Sequence, residues 1–362
     1  MRKNTTDWSD VFFRRGKTQE YEVNASGGGD RTGFYSSLNY FKQEGIANRS
    51  QLERISFRTN VDFKTDRLTI GLSTTLNYAS SSFIEGENGT SIVNPFSAAY
   101  YALPYELPYR NGVLLHGGNT SGPDLSDATY DPLVPADPDG ALVYDQREGS
   151  AALERQNATT SKRNEIKAVL GGTIRYKIYD GLSAIGTFGM DFRELMTERF
   201  IDPRTFAGSQ VTIGAQGSFS EGTNRYMQLF GNAGLNYNKT FVGKHQVDAS
   251  ALVENIKATN RAFSYVGYGI NPILLNTPAA ITPGSPGGFI PTIGGGRDGS
   301  ATNLVGVTQS LIGILRYTYD GKYSFNGSYR LDASSAVPKK KSLHFLFWCG
   351  WFMEYLEGRL HV

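Results

Sequence analysis

Four groups of residues in this 362-residue chain have types that suit chemistry. His116 and His245 are capable of holding a metal or passing a proton. Neither has a second His or a Cys at ligand spacing, so both read as surface or loop histidines. Asp137-Pro138-Asp139-Gly140 opens like a calcium loop within the acidic stretch 124–139, but the later ligands and the terminal Glu of an EF-hand do not follow. Gly294-Gly295-Gly296 lacks the strand before and helix after that a phosphate cradle requires. Tyr100, Tyr101, Tyr105 and Tyr109 are more informative. Aromatic rings in a pocket with a few polar groups suit the apolar faces of sugars, and these four are candidate substrate contacts. The competing reading is that they pack their own loop onto itself. No paired-carboxylate site stands out. The expectation is therefore no catalytic residue, no metal site and no cofactor: not an enzyme.

The elements that must position these tyrosines are strands. In "RISFRTNVDFKTDRLTIGLSTTLNY" (residues 54–78), Ile55, Phe57, Val61 and Phe63 alternate with Arg54, Arg58, Asn60 and Lys64. After a break at Thr65-Asp66, Leu68, Ile70, Leu72 and Leu76 alternate with Arg67, Thr69, Ser73 and Thr75. Period two puts successive side chains on opposite faces, so this is a hairpin with one apolar and one wet face. Such alternation recurs about ten times: residues 19–26, 32–41, the quoted pair, 166–178, 182–192, 227–237, 247–253, 311–319 and 323–332. No segment of similar strength has a helical period.

Composition agrees with many strands and turns. Tyr and Phe number 21 each and Gly 42, while the hydrophobic share is 39%. No run reaches the ~18 apolar residues of a membrane helix, which leaves a membrane barrel open, because its strands are apolar only at every second position. A net charge of +2 gives no footprint for nucleic acid. A single Cys excludes an internal disulfide and a Cys metal cluster. The opening "MRKNTTDWSD" has no apolar segment after Arg2-Lys3 and does not read as a signal peptide.

The connections sort by length. Tight turns near residues 27–31, 65–66, 180–181, 239–244 and 320–321 alternate with longer loops at about 42–52, 79–165, 194–224 and 256–306. All tight turns thus lie at one end of the sheet and all long loops at the other, as in an outer-membrane barrel. A strand of about twelve residues at ~3.3 Å each, tilted ~45°, rises about 28 Å, close to a lipid-facing band of ~25 Å. Tyr176, Tyr179, Tyr237, Phe241, Tyr317, Tyr319 and Tyr323 cluster near the tight turns, where an interfacial aromatic girdle belongs. The expected fold is all-β: an incomplete antiparallel up-and-down transmembrane barrel of about ten strands, apolar face to outer-membrane lipid and polar face to a wet lumen. Its strand edges at 19–26 and 322–332 are expected to be unpaired.

The residues also resemble a family. "NTTDWSDVFFRRGKTQEYEVNASGGGDRTGFYSSLNYFKQEGI" (residues 4–46) resembles the start of the barrel in SusC/RagA-type TonB-linked outer-membrane proteins. "NPFSAAYYALPYELPY" (94–109) resembles that family's first long loop, and "LRYTYDGKYSFNGSYRLDASS" (315–335) a late hairpin. The resemblance implies a barrel of about 22 strands with an N-terminal plug, in the cell outer membrane. It implies import of oligosaccharides or peptides, driven by the TonB complex, with a SusD-like lipoprotein as lid.

The chain departs from the family pattern in having no recognisable export signal, TonB box or plug. The tail "KKKSLHFLFWCGWFMEYLEGRLHV" does not continue the pattern and reads as a frameshift after Lys339-Lys340-Lys341. The organisation expected is a segment 1–18 leading into the barrel, a partial barrel 19–338 and an aberrant tail 339–362. The function expected is a barrel fragment of a nutrient importer, inactive alone. The alternative is a secreted, soluble β-rich binding protein or adhesin, which needs no detergent.

Overall fold

The computed structural model describes residues 5–84, 94–102, 104, 108–110, 113–114, 148–205, 208, 214–274, 276–282, 302–335 and 343–353. Its centre is one antiparallel sheet of eleven strands, each paired with the strand before and after it in chain order. They are β1 (Lys17–Gly28), β2 (Thr32–Glu44), β3 (Gln51–Lys64), β4 (Leu68–Ser82), β7 (Thr159–Tyr179), β8 (Leu182–Ile201), β9 (Ser218–Phe241), β10 (His245–Tyr268), β11 (Thr302–Tyr319), β12 (Tyr323–Ser334) and β13 (Leu343–Met353). β5 (Tyr109–Arg110) and β6 (Val113–Leu114) form a separate small hairpin. Three short helices, α1 (Trp8–Phe12), α2 (Pro95–Tyr101) and α3 (Glu148–Ala158), complete the main elements.

The register shows why the sheet exists. Directly opposed residues share a face, so an apolar row can be followed from strand to strand. Leu38 opposes Phe57, Phe57 opposes Leu76, Leu76 opposes Ala168, Ala168 opposes Phe192, and Phe192 opposes Met227. The row nearer the turns runs Ala184, Leu235, Ala251. Along this row no described second layer covers the face, and Phe57, Val61, Leu72, Ile174 and Phe188 stand exposed on it; at its far end Phe200 and Phe219 are buried with Ile270 and Ala280. A sheet needs a partner for its apolar face, and in an antiparallel transmembrane barrel that partner is hydrocarbon. The opposite face is polar and internally bonded. Asn236 Nδ2 donates to Asp248 Oδ1 and Ser250 Oγ, both at 2.9 Å, and Asn238 Nδ2 to Asp248 Oδ2 at 3.1 Å. Arg316 Nε donates to Asn326 Oδ1 at 3.0 Å.

The tight turns lie at one end: residues 29–31, 65–67, 180–181, 242–244 and 320–322. Asp320 and Gly321 both have positive φ, 52° and 68°, the geometry of a two-residue hairpin turn. The aromatic girdle sits beside these turns on the apolar face, with Phe241 opposite His245, His245 opposite Tyr319 and Tyr319 opposite Tyr323. A register shift between Lys177 and Tyr179 inserts one extra residue. It puts Tyr179 on the same face as Tyr176, because a bulge changes the parity of the alternation.

Several expectations need correction. The loops at 194–224 and 256–306 are partly strand: β8 runs on to Ile201, β9 starts at Ser218, β10 runs on to Tyr268 and β11 starts at Thr302. β9 and β10 have 24 residues each. At ~3.3 Å per residue and ~45° tilt they rise about 56 Å, roughly 30 Å more than the lipid band. The apolar alternation stops partway along these strands, but the backbone ladder does not. Beyond the band the same face carries ion pairs: Lys42–Glu53 at 3.2 Å, Arg225–Glu194 at 2.6 Å and Lys162–Glu198 at 3.9 Å. The second correction concerns the edge expected at 322–332. Residues 343–353 form the eleventh strand, paired with β12 from Ala333↔Leu343 to Tyr323↔Met353. β12 is therefore not an edge, whereas β1 is. The segment's five Phe and Trp residues have high strand preference, and the ladder accepts any side chain.

Candidate functional site at the long-loop end

Three segments far apart in sequence meet at the long-loop end. Asp7 caps α1 by accepting from the Ser9 N–H at 2.9 Å, and Asn94 caps α2 by accepting from the Phe96 N–H at 2.9 Å. Pro95 occupies the first turn of α2, where no N–H is missed. Trp8 and Phe12 of α1, Ala98 of α2, and Ala152 and Leu153 of α3 then close a small buried core. A Cβ placed on Gly149 stands 2.5 Å from the Trp8 ring, so only glycine allows this approach. The segment after α1 is stapled to the β2–β3 connection. Arg14 donates from Nε to the Gly45 carbonyl at 3.1 Å and from Nη2 to the Ser50 carbonyl at 3.0 Å. Asn48 Nδ2 donates to the Val11 carbonyl at 2.8 Å. Two of the sequence stretches that carried the resemblance, around Asp7-Trp8 and Asn94-Pro95, therefore meet in one structure.

Tyr100 and Tyr101 end α2 and point away from this core. They are 82% and 61% exposed, and their rings meet edge to face at 5.1 Å between centroids. Tyr109 contributes backbone to the β5–β6 hairpin, and Tyr105 lies outside the described residues. The structure thus brings together two of the four candidate tyrosines.

Beside the helices a cleft of about 390 Å³ opens between the ends of β4, β7 and α3. Sequence reasoning missed it. Arg49, Arg155 and Lys162 line it, with hydroxyls from Ser80, Ser81, Ser82 and Ser161 and an apolar wall from Phe83 and Ile84. Arg49, at a left-handed φ of 67°, donates from Nη1 to the carbonyl of Gln156 at 2.9 Å and to that of Asn157. Those carbonyls end α3 and have no partner within the helix. Gln156 Nε2 returns a bond to the Asn48 carbonyl at 2.9 Å. Contacts more than a hundred residues apart in sequence leave no local spacing to read.

His245 is placed on the girdle, its Nδ1 2.7 Å from the Tyr317 hydroxyl. His116, the acidic stretch 124–139 and Gly294–Gly296 lie outside the described residues. Among the described residues, no group of three or more His, Cys, Asp or Glu is placed to hold a metal. The late-hairpin motif supplies a polar cluster on the lumen face. Arg330 donates from Nη2 to Glu254 Oε1 at 2.9 Å and Ser310 Oγ at 3.0 Å, and from Nε to Asp332 Oδ1 at 2.8 Å.

No family model matches the chain. TonB-dependent receptor P3 of Formosa agariphila is 26% identical over 352 residues, which take in 94% of this chain and 30% of that protein. TonB-dependent receptor P39 of the same organism is 23% identical over 341 residues, 92% of this chain and 28% of that protein. Among solved structures, the RagAB peptide transporter superposes with a TM-score of 0.70 at 18% identity, covering 95% of this chain and 35% of the matched one. The chain spans about a third of the length of these relatives. Along nearly its whole length, then, the chain is similar to TonB-dependent receptors of the SusC/RagA type, and its fold is that of a section of their barrel wall.

Proposed function

We propose that the chain forms wall and mouth of an outer-membrane importer of nutrients, glycans or peptides. In this reading the TonB complex drives the receptor and a SusD-like lipoprotein closes it from outside. The observation that carries the reading is the unlike build of the two ends: tight turns beside an aromatic girdle at one, stacked helices and long loops at the other. A pore that takes in solute from one side needs such asymmetry. Tyr100 and Tyr101 serve as an aromatic platform for substrate at the mouth. The chain alone is inactive, since its described strands form an open sheet in which β1 and β13 are not paired with each other.

Fractionation tests the location: the chain should partition with outer membranes and leave them only in detergent, and recovery in buffer alone removes the proposal. Titration tests the platform. In the complete receptor, Tyr101→Ala should weaken oligosaccharide or peptide binding by about tenfold, a loss of roughly 1.4 kcal/mol. Unchanged affinity removes Tyr101 from the site.

A further inference from the structure

We infer that the lipid-facing side of β9, β10 and β11, where Lys257 and Arg261 stand just past the apolar row, holds the anionic phosphate of a membrane lipid. On β10 the side chains of that face run His245, Val247, Ala249, Ala251 and Val253, and the alternation continues through Asn255, Lys257, Thr259 and Arg261. At ~3.3 Å per residue and ~45° tilt, Lys257 lies about 28 Å above the girdle at His245, and Arg261 about 37 Å above it. A lipid band of ~25 Å ends just below Lys257. The two cations therefore bracket the headgroup layer remote from the tight turns.

The charges there do not balance. On this face of β8 to β11, the rows from Lys257 to Arg261 hold three cations, Lys257, Arg261 and Arg225, and one carboxylate, Glu194. That carboxylate is taken: Arg225 donates to its Oε1 from Nε at 3.1 Å and from Nη2 at 2.6 Å. Arg261 directly opposes Arg225, a like-charge pair that destabilises a sheet and that an anion beside it relieves. Among the described residues, neither Lys257 nor Arg261 has a hydrogen-bond or ion-pair partner. Cations near the tight turns differ. Lys239, on the same face, stands 3.7 Å from Asp180, and Lys322 stands 3.2 Å from Asp320.

The neighbours select a lipid over a soluble anion. Lys257 lies between Leu229 and Val307, and Thr259 between Met227 and Val305. Long cationic side chains lay their stems on such apolar surface and carry the charge to the polar layer. A soluble phosphate uses the charges alone, whereas a lipid also covers the apolar flanks. Farther up, the face is closed again: Phe219, opposite Gly267, is buried with Ile270 and Ala280. The inference rests on the reading that this face meets lipid.

Competition for a chain-labelled phosphatidic acid tests it, followed by fluorescence anisotropy with the full chain in an uncharged detergent. The competitors are phosphatidic acid, phosphatidylcholine with the same acyl chains, and inorganic phosphate. Phosphatidic acid should compete at least about tenfold better than either of the others, with its advantage falling as salt rises. Lys257→Gln and Arg261→Gln should each weaken its binding about fivefold. Arg58→Gln, which removes one charge from the lumen face, should leave it unchanged. Equal competition by phosphatidylcholine, or an equal loss in Arg58→Gln, overturns the inference. Equal competition by inorganic phosphate overturns the lipid assignment. If a variant misfolds, the wild-type salt dependence decides: a preference indifferent to salt overturns the site. Recovery of the chain in buffer alone removes the lipid-facing reading and this inference with it. A chain that needs detergent yet prefers neither lipid removes this inference alone.

Discussion

Leu72 offers the sharpest test of which solvent the apolar face meets. It lies on β4 opposite Val61 on one side and Gly172 on the other, and it is 55% exposed in the isolated chain. The apolar row of β4 runs from Leu68 to Tyr78. At ~3.3 Å per residue and ~45° tilt this row rises about 23 Å, with Leu72 about 9 Å from its turn-side edge and so within about 3 Å of its middle. An Arg near the bilayer midplane of a barrel costs about 2–4 kcal/mol, falling to about 0–1 near the interfaces. Leu72→Arg should therefore lower stability by about 2–3 kcal/mol, and Ser80→Arg, past the end of the row, by less than about 1. Ser73→Arg, one residue away on the lumen face, should be nearly neutral. The assay is denaturant unfolding in phosphatidylcholine vesicles, followed by the gel shift between folded and heated protein. If Ser73→Arg costs as much as Leu72→Arg, or if Leu72→Arg is neutral, hydrocarbon does not bathe this face.

Three further outcomes follow from local geometry. Val242 sits at φ 50° in the β9–β10 turn, a left-handed backbone that costs a β-branched residue roughly 1–2 kcal/mol, so Val242→Asn should raise the unfolding midpoint; a lower midpoint contradicts the turn. Gly149→Ala drives a methyl into the Trp8 ring and should cost about 1–3 kcal/mol, seen as loss of protease protection at residues 5–16 and 148–158. Removing Arg330 leaves Glu254, largely buried, without its cation. Arg330→Met should cost about 1–3 kcal/mol, and adding Glu254→Gln should restore part of it, as a double-mutant cycle would report.

Period-two alternation made the ten strands from β1 to β12 legible because a sheet with one apolar face needs an apolar side chain at every second residue. Asp320-Gly321 was legible because its turn type demands positive φ. The upper halves of β8, β9 and β10 were not, since there Glu194, Glu198 and Arg225 stand where apolar residues stood below, and the buried Phe200 and Phe219 pack on Ile270 and Ala280, far off in sequence. Segment 343–353 was not legible as a strand for the opposite reason. Its apolar residues are consecutive, a pattern without period, yet its backbone pairs with β12. At the mouth, Tyr100 and Tyr101 were visible as a cluster. The cleft was not, because Arg49 and Gln156 meet only after the chain has gone out and returned. The helices α1 and α2, of five and seven residues, are too short to show a period, and each owes its place to one cap and one buried contact.

The wall is uneven in height. β1 to β4 have between 12 and 15 residues, while β7 to β10 have between 20 and 24. At ~3.3 Å per residue and ~45° tilt, the tall flank overtops the low one by about 20 Å. A vessel with such a slanted lip has a backstop on one flank and an open approach on the other.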